Sequence, residues 1–398
     1  MKEYDAVIIG GGPIGGHVAG KLAGKKLSVA VFEKNKQMGM PVNCAGLITP
    51  RVFDSLNISQ ELVVQNKIKG ANIHSPSGNI LSIGGDKLHA LVIDRSRFDR
   101  EILQKSKQKK AEVFFDNNVL SIQKIGNHIE LKTSQNLDIK CKLLIGADGP
   151  RSKTRDRFSF PEPIEYLRGL GAEITGTNLN PDFVEIFVGR DIAPGFFAWI
   201  IPLNKEGTKA RIGLCINQDS PKPPKYYFSN FFKHKNSSPF FENIEINKHI
   251  GGVIPLGVLK KTYDSNVLLV GDAAAQVKPS SGGGIYTGLL CANHCSDVAI
   301  EAFQENDFTA SFLKKYQKLW TADIGREFNY GMKFRRIYRN LSDNQFDKYI
   351  EKLQDPKISK IITEFGDIDY PSKLVKPLLK KAPSLLKILP DVIKEKYL

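Results

Sequence analysis

"YDAVIIGGGPIGGHVAGKLAGKKLSVAVFEKN", residues 4 to 35, decides the fold. A buried-strand run from Asp5 to Ile9 meets a cluster of glycines, small and apolar residues follow, and a second apolar run ends at Glu33, which reads as strand, helix, strand. Gly10, Gly12 and Gly15 form G-x-G-x-x-G at the first strand-to-helix junction, and Glu33 stands 18 positions past Gly15. Each has a physical task. The first glycine permits the tight turn, the second lets the backbone approach a pyrophosphate, and the third lets the helix pack on the strand with its N-terminus facing the phosphates. Glu33 would accept hydrogen bonds from adenosine ribose hydroxyls. Together they predict a dinucleotide site on a parallel sheet.

Two distant stretches extend this reading. "CKLLIGADGPRSKTR", residues 141 to 155, runs from an apolar strand into Gly146-Ala147-Asp148-Gly149. "NVLLVGDAAAQVKPSSGGGIYTGLLCANH", residues 266 to 294, carries a strand from Val267 to Val270 into Gly271-Asp272, and the glycines at 282 to 284 open a helix running through His294. A strand ending in an acid, followed by a glycine-lined helix start, suits phosphate or ribityl contact. Between these stretches the texture changes. "FVEIFVG", "GFFAWIIPL" and "ARIGLCI" have strand lengths, aromatic and β-branched residues and turn residues between them, predicting an antiparallel sheet over roughly 160 to 260. Beyond about 305 the pattern is helical.

The fold expected is therefore α/β, α+β overall. A discontinuous Rossmann-like domain comprises 1–70, 90–158 and 262–304, an antiparallel-sheet substrate domain 71–89 and 159–261, and a helical region 305–398. The 398 residues, 41% hydrophobic, suffice for such a multidomain core. Neither a secretory leader nor the ~18-residue apolar run of a membrane span is evident. The five cysteines at 44, 141, 215, 291 and 295 are too scattered for a disulfide framework and suit a reducing cytoplasm. No metal-ligand pattern is found, Cys291 and Cys295 having no matching His/Cys pair. A net charge of +15 is compatible with nucleic acid, anionic lipid or an acidic protein. Nucleic acid lacks any supporting motif. Residues 371–398 hold seven lysines against Asp391 and Glu395, interleaved with leucine and isoleucine and broken by prolines. That segment suits either an anionic bilayer surface, making the protein peripheral at the inner face of the cell membrane, or an ordinary helical cap.

The glutamate-bearing glycine fingerprint, "GADGPRSKTR" and "LLVGDAAAQVKPSSGGG" together resemble the FAD-dependent aromatic hydroxylase-type flavoprotein superfamily. Within it, "PVNCAG" (41–46), "GFFAWIIPLNKEGTKARIGL" (195–214) and "VIDRSRFD" (92–99) resemble elements of geranylgeranyl reductases, including the archaeal enzymes of digeranylgeranylglycerophospholipids. The resemblance implies FAD as cofactor, contacted at Gly15, Glu33, Cys44, Ala45, Leu47, Arg95, Val119, Asp272, Gly284 and Ile285, with Gly10 and Gly12 in the fingerprint. It implies a polyprenyl lipid substrate and an external reductant, which could be NAD(P)H, a deazaflavin or ferredoxin. Ala45 replaces the glycine after the motif cysteine, and Ile201 stands where an aromatic precedes Pro202. Gln276 occupies a position where many hydroxylases carry histidine.

Saturating an isolated alkene needs a hydride, a proton and a dry chamber. Phe196, Phe197, Trp199 and Pro202 are candidate chamber walls, or else plain sheet core. For Cys44, the candidate catalytic residue, three roles are open: positioning substrate or a proton, packing, or a redox bridge. The leading expectation is an FAD-dependent reductase of geranylgeranyl double bonds; the alternatives are an aromatic-ring monooxygenase and a flavin electron-relay protein.

Overall fold

The computed structural model describes residues 1–56 and 58–381. The second half of the basic tail, 382–398, lies outside the described residues. In the first layer the strand Lys2–Ile9 runs parallel to Val29–Phe32 on one side and to Asp138–Gly146 on the other. Glu112–Phe114 extends one edge in parallel, and Val267–Leu269 the other, followed by the short antiparallel strand Tyr263–Asp264. These strands read as unbroken apolar runs because both faces are covered. Ala6, Ile8, Val29, Val31, Leu143 and Ile145 pack on one side against the helices Pro13–Ala23 and Ile285–Glu305. Val7, Ile9, Ala30, Phe32 and Leu144 pack on the other against the ribbon Val119–Ile125/His128–Thr133.

The second layer is a seven-stranded sheet ordered Glu245–Leu256, Glu165–Thr175, Lys209–Asn217, Phe197–Pro202, Phe183–Val188, Gly70–His74, Ile80–Gly84. All neighbours are antiparallel but one: Phe183–Val188 runs parallel to Gly70–His74. The chain passes through the first layer between these two strands, so no hairpin dictates their relative direction. One face of this sheet carries Ala172, Ile174, Ala198, Ile200, Ile212, Leu214 and Ile216 into a core closed by Tyr227, Phe228 and Phe231 of the helix Pro224–Lys233. Its opposite face turns toward the first layer. A three-stranded sheet, Leu47–Ile48, Ala90–Ile93 and Val64–Ile68, lies in the chain segment between the two larger ones.

After residue 305 the described chain is helical, and the helix Ala310–Trp320 passes through a π-turn at Thr321–Gly325 into Arg326–Tyr338. No helix among the described residues is long and apolar enough to cross a membrane.

Candidate active site

Glycine is obligatory at two cradle positions. Gly10 has φ +106°, and a Cβ there would lie 2.2 Å from the Ala147 carbonyl oxygen; a Cβ at Gly15 would lie 2.0 Å from the Gly10 oxygen. At Gly12, which caps the helix Pro13–Ala23 without a side-chain hydrogen bond, a Cβ would meet nothing within 4 Å. The helix thus presents unsatisfied N–H groups to open space, as a pyrophosphate requires. Glu33 is already oriented: one carboxylate oxygen accepts the Gly11 N–H and the other the Asn35 N–H, each at 2.8 Å. Val119 is buried in the apolar cluster that includes Ile9 and Phe32, the residues preceding Gly10 and Glu33.

Beyond the strand Val267–Leu269 the chain makes a single turn, Gly271–Ala274, that carries Asp272. Gly284 caps the 21-residue helix beginning at Ile285, again with no side-chain cap. A Cβ at Gly284 would come within 3.0 Å of Asp272 Oδ1, so glycine is what lets the carboxylate rest against the helix start. Burial pushes the Asp272 carboxyl above its usual range, while Arg95 draws it back. Its carboxylate has no hydrogen-bond partner among the described residues, which leaves it available to a ligand hydroxyl. Gln276 is a bracket: its side-chain oxygen accepts the Gly271 N–H and its nitrogen donates to Tyr316 Oη, both at 2.8 Å.

The cysteine loop meets this framework from the other side. Cys44 Sγ accepts the Gly46 N–H at 3.3 Å and faces the Arg95 guanidinium. Burial opposes the Arg95 charge, but the Asp99 carboxylate, gripped through two contacts of 3.1 Å, and Cys44 hold it more firmly protonated than an ordinary arginine. The second sheet pins the same loop through Arg211, which donates to the Ala45 carbonyl at 2.7 Å and to Glu173 at 2.7 Å. Gly46 is needed because its φ is +69° and a Cβ would lie 2.7 Å from the Ile93 carbonyl oxygen.

The aromatic residues gather at the junction of the layers. Phe196 and Phe197 stack with centroids 4.3 Å apart, and Phe197 meets Trp199 edge-on at 6.1 Å. Trp199 packs in the same cluster as Ala45 and Leu47, and a Cβ at Gly282 would lie 3.5 Å from the Phe196 ring. The three aromatics thus lie beside the cysteine loop and the third glycine motif. Pro202 is not brought to them: strand alternation places it with Ala198 and Ile200 on the opposite face.

Sequence reasoning missed what these aromatics cover. Gly171 pairs with Gly213 and Gly169 with Gly252, so three adjacent strands bring four glycines to one face. A Cβ at Gly213 would lie 2.5 Å from Trp199 Cζ2, so the indole lies directly over bare backbone. Trp199 Nε1 is buried without a partner among the described residues. The available signals were "RGLGAEI" and "HIGGVI", two strand segments with glycines where side chains should pack.

The cradle and the joined second sheet define a class of protein: a two-layer flavoprotein with a glycine-rich dinucleotide cradle at the strand ends of its first layer. Residues 3–292 match the FAD binding domain family, and the chain belongs to it, with FAD as its cofactor. An uncharacterized protein of Methanocaldococcus jannaschii is 31% identical over 95% of both chains. Digeranylgeranylglycerophospholipid reductase 2 of Methanopyrus kandleri is 28% identical over 98% of this chain and 100% of that one. Among solved structures, a geranylgeranyl bacteriochlorophyll reductase-like protein of Thermoplasma acidophilum superposes with a TM-score of 0.86 over 99% of this chain and 100% of that one at 22% identity, which establishes the shared fold.

Proposed function

We propose that this protein saturates carbon–carbon double bonds of geranylgeranyl chains, most specifically those of archaeal-type membrane glycerophospholipids. The observation that carries the reading is the glycine face at the layer junction, with Trp199 laid over Gly213 and Phe196 against Gly282. Bare sheet backbone beside aromatic rings is an apolar wall suited to a flexible isoprenoid, each methylene buried against it contributing about 0.8 kcal/mol. The full-length similarity to a named reductase of that lipid class supports the same substrate. FAD, when bound and reduced, supplies the hydride.

The chain's own residues do the rest. Gly10, Gly12, Gly15 and Glu33 hold the adenosine and pyrophosphate portion; Asp272, Gly284 and Ile285 receive the ribityl portion and the ring edge. Ala45 and Leu47 border the ring from the cysteine loop. Arg95 holds that loop with its charge toward Cys44, whose thiol positions or delivers the proton at the alkene. Phe196, Phe197 and Trp199 exclude water. The external reductant is NAD(P)H, a deazaflavin or an acidic carrier of the ferredoxin type, the last being compatible with the +15 net charge. The lysine-rich segment 371–398, of which Lys373, Lys376, Lys380 and Lys381 are described, supports contact with an anionic lipid surface.

Anaerobic incubation of dithionite-reduced protein with a geranylgeranyl glycerophospholipid, followed by mass spectrometry, tests the reading. Stepwise gain of hydrogen pairs is expected. An unchanged lipid would overturn it.

A further inference from the structure

A second buried polar cluster sits behind the third glycine motif. Asp369, fully buried, accepts from Lys278 Nζ at 2.6 Å, Thr49 Oγ1 at 2.5 Å and Arg51 Nη1 at 3.3 Å. Lys278 is only 7% exposed and also donates to the Ile368 carbonyl at 3.2 Å. Thr49 continues the loop that carries Cys44, and Lys278 lies in the motif that carries Asp272 and Gly284. One carboxylate from the C-terminal segment therefore ties together the two loops that flank the FAD seat.

Burying both members of an ion pair carries a desolvation penalty, and apolar residues of the same volume often hold a segment as well or better. The charge thus calls for a use other than adhesion. Lys278 donates its backbone N–H to the Gly283 carbonyl at 3.0 Å and accepts the Gly282 N–H at 2.8 Å, so its main chain closes the turn 278–283. Its side chain lies against that turn: a Cβ at Gly283 would sit 3.2 Å from Lys278 Cε and 3.6 Å from Nζ. The next glycine caps the helix Ile285–Glu305 and faces Asp272, while the preceding one faces Phe196. The ammonium therefore lies beside the turn that joins the FAD seat to the aromatic wall.

We propose that Asp369 is a positioning residue for the FAD seat, fixing the turn 278–283 through Lys278 and compensating a cation that otherwise favours the reduced over the oxidised cofactor. The inference rests on the FAD seat and is independent of the lipid assigned above. A reduced isoalloxazine carries more negative charge than an oxidised one, so an uncompensated cation nearby stabilises reduction and an absent cation disfavours it. The two members of the pair consequently act with opposite sign.

The test is the two-electron midpoint potential of the full chain reconstituted with FAD, read beside FAD affinity and the flavin absorption spectrum. Asp369→Asn is expected to raise the potential and Lys278→Met to lower it, each by about a tenfold change in the preference for reduced over oxidised FAD, or about 30 mV for a two-electron couple. Asp369→Glu, which keeps the charge, is expected to restore the parental potential. Shifts of the same sign, or none in either variant while FAD is bound, would overturn the proposal. If Asp369→Asn does not fold, Lys278→Met decides alone, since it leaves Asp369 bonded to Thr49 and Arg51: a lowered potential supports the proposal and an unmoved one overturns it. None of these readings uses the lipid, so failure of the substrate assignment would leave them intact.

Discussion

At Gly10, Gly12 and Gly15 the first layer offers its ligand backbone and helix ends, with every side chain pared away; at Phe196, Phe197 and Trp199 the second layer offers aromatic rings laid over backbone that glycine has stripped. The same residue type serves two ends. In the cradle, glycine permits close approach of a phosphate to N–H groups, so the recognition is directional and hydrogen-bonded. In the sheet, glycine makes room for rings, and under the proposed function an apolar chain would be recognised there by volume and dryness. A phosphate-binding cradle tolerates almost no variation, since main-chain positions are fixed by covalent geometry. A wall of side chains can be re-cut for a different substrate while the cofactor stays in place.

The largest effect is expected where that contrast is sharpest. Gly15→Ala drives a methyl into the Gly10 carbonyl at 2.0 Å, a backbone atom that cannot rotate aside. A cost of about 3 kcal/mol in stability and failure to retain FAD are expected, read by thermal unfolding and by flavin absorbance after gel filtration. Retention of the cofactor with parental affinity would break the distinction between a rigid cradle and an adaptable wall.

Cys44→Ala lies between the two regions. If the thiol handles the proton, FAD affinity stays near parental while the rate of prenyl saturation falls by about 100-fold, the lower range for loss of a general acid. Cys44→Ser is expected to recover part of that loss, because the hydroxyl still accepts the Gly46 N–H. Single-turnover oxidation of the reduced protein by lipid, followed at the flavin band, measures both.

Gly213→Ala should act on the wall alone. The added methyl would lie 2.5 Å from the Trp199 ring, forcing the indole off the bare sheet at about 1–3 kcal/mol of strain. FAD binding is expected unchanged and lipid saturation slower by about tenfold, with the loss greater for longer chains. Equal loss on all chain lengths would say that the glycine face holds no isoprenoid.

This division explains what could be read from the chain. The cradle was readable because tight turns at strand ends leave glycine as the sole solution, and because Glu33 follows at a spacing set by one helix and one strand. Asp272 and Gly284 were marked by a strand end followed by a glycine-lined helix start, and their role toward FAD was implied by the family resemblance. The wall was readable only in part: strand alternation sends Phe197 and Trp199 to one face and Pro202 to the other, which a motif does not show. Gly169, Gly213 and Gly252 meet only through the register of three strands that are not consecutive. Partners such as Arg211 for Ala45 and Asp369 for Thr49 lie 166 and 320 residues apart, and no local pattern connects them.

The smallest effects concern two carboxylates that burial treats alike and their partners do not. Burial alone would raise Asp367, but the fork of Arg51, with contacts of 2.7 and 2.8 Å, and the N–H groups of Asp369 and Tyr370 pull it down to about 2 from 3.8. A depressed carboxyl stabilises the fold above its unfolded value, and that contribution is lost as pH falls from about 4 through about 2. Asp367→Asn should therefore flatten the acid limb of a denaturation-midpoint profile by about 1 kcal/mol, the modest size expected because Arg51 is partly solvated. Asp272 has the opposite sign. Its raised carboxyl favours the fold while protonated and disfavours it as pH rises through the folded value, so Asp272→Asn should stabilise the FAD-free protein at neutral pH while weakening FAD binding. If Asp272→Asn instead destabilised the FAD-free chain, its carboxylate would be part of the scaffold. The cradle would then no longer be a place where stability is given up to keep a charge ready for the cofactor.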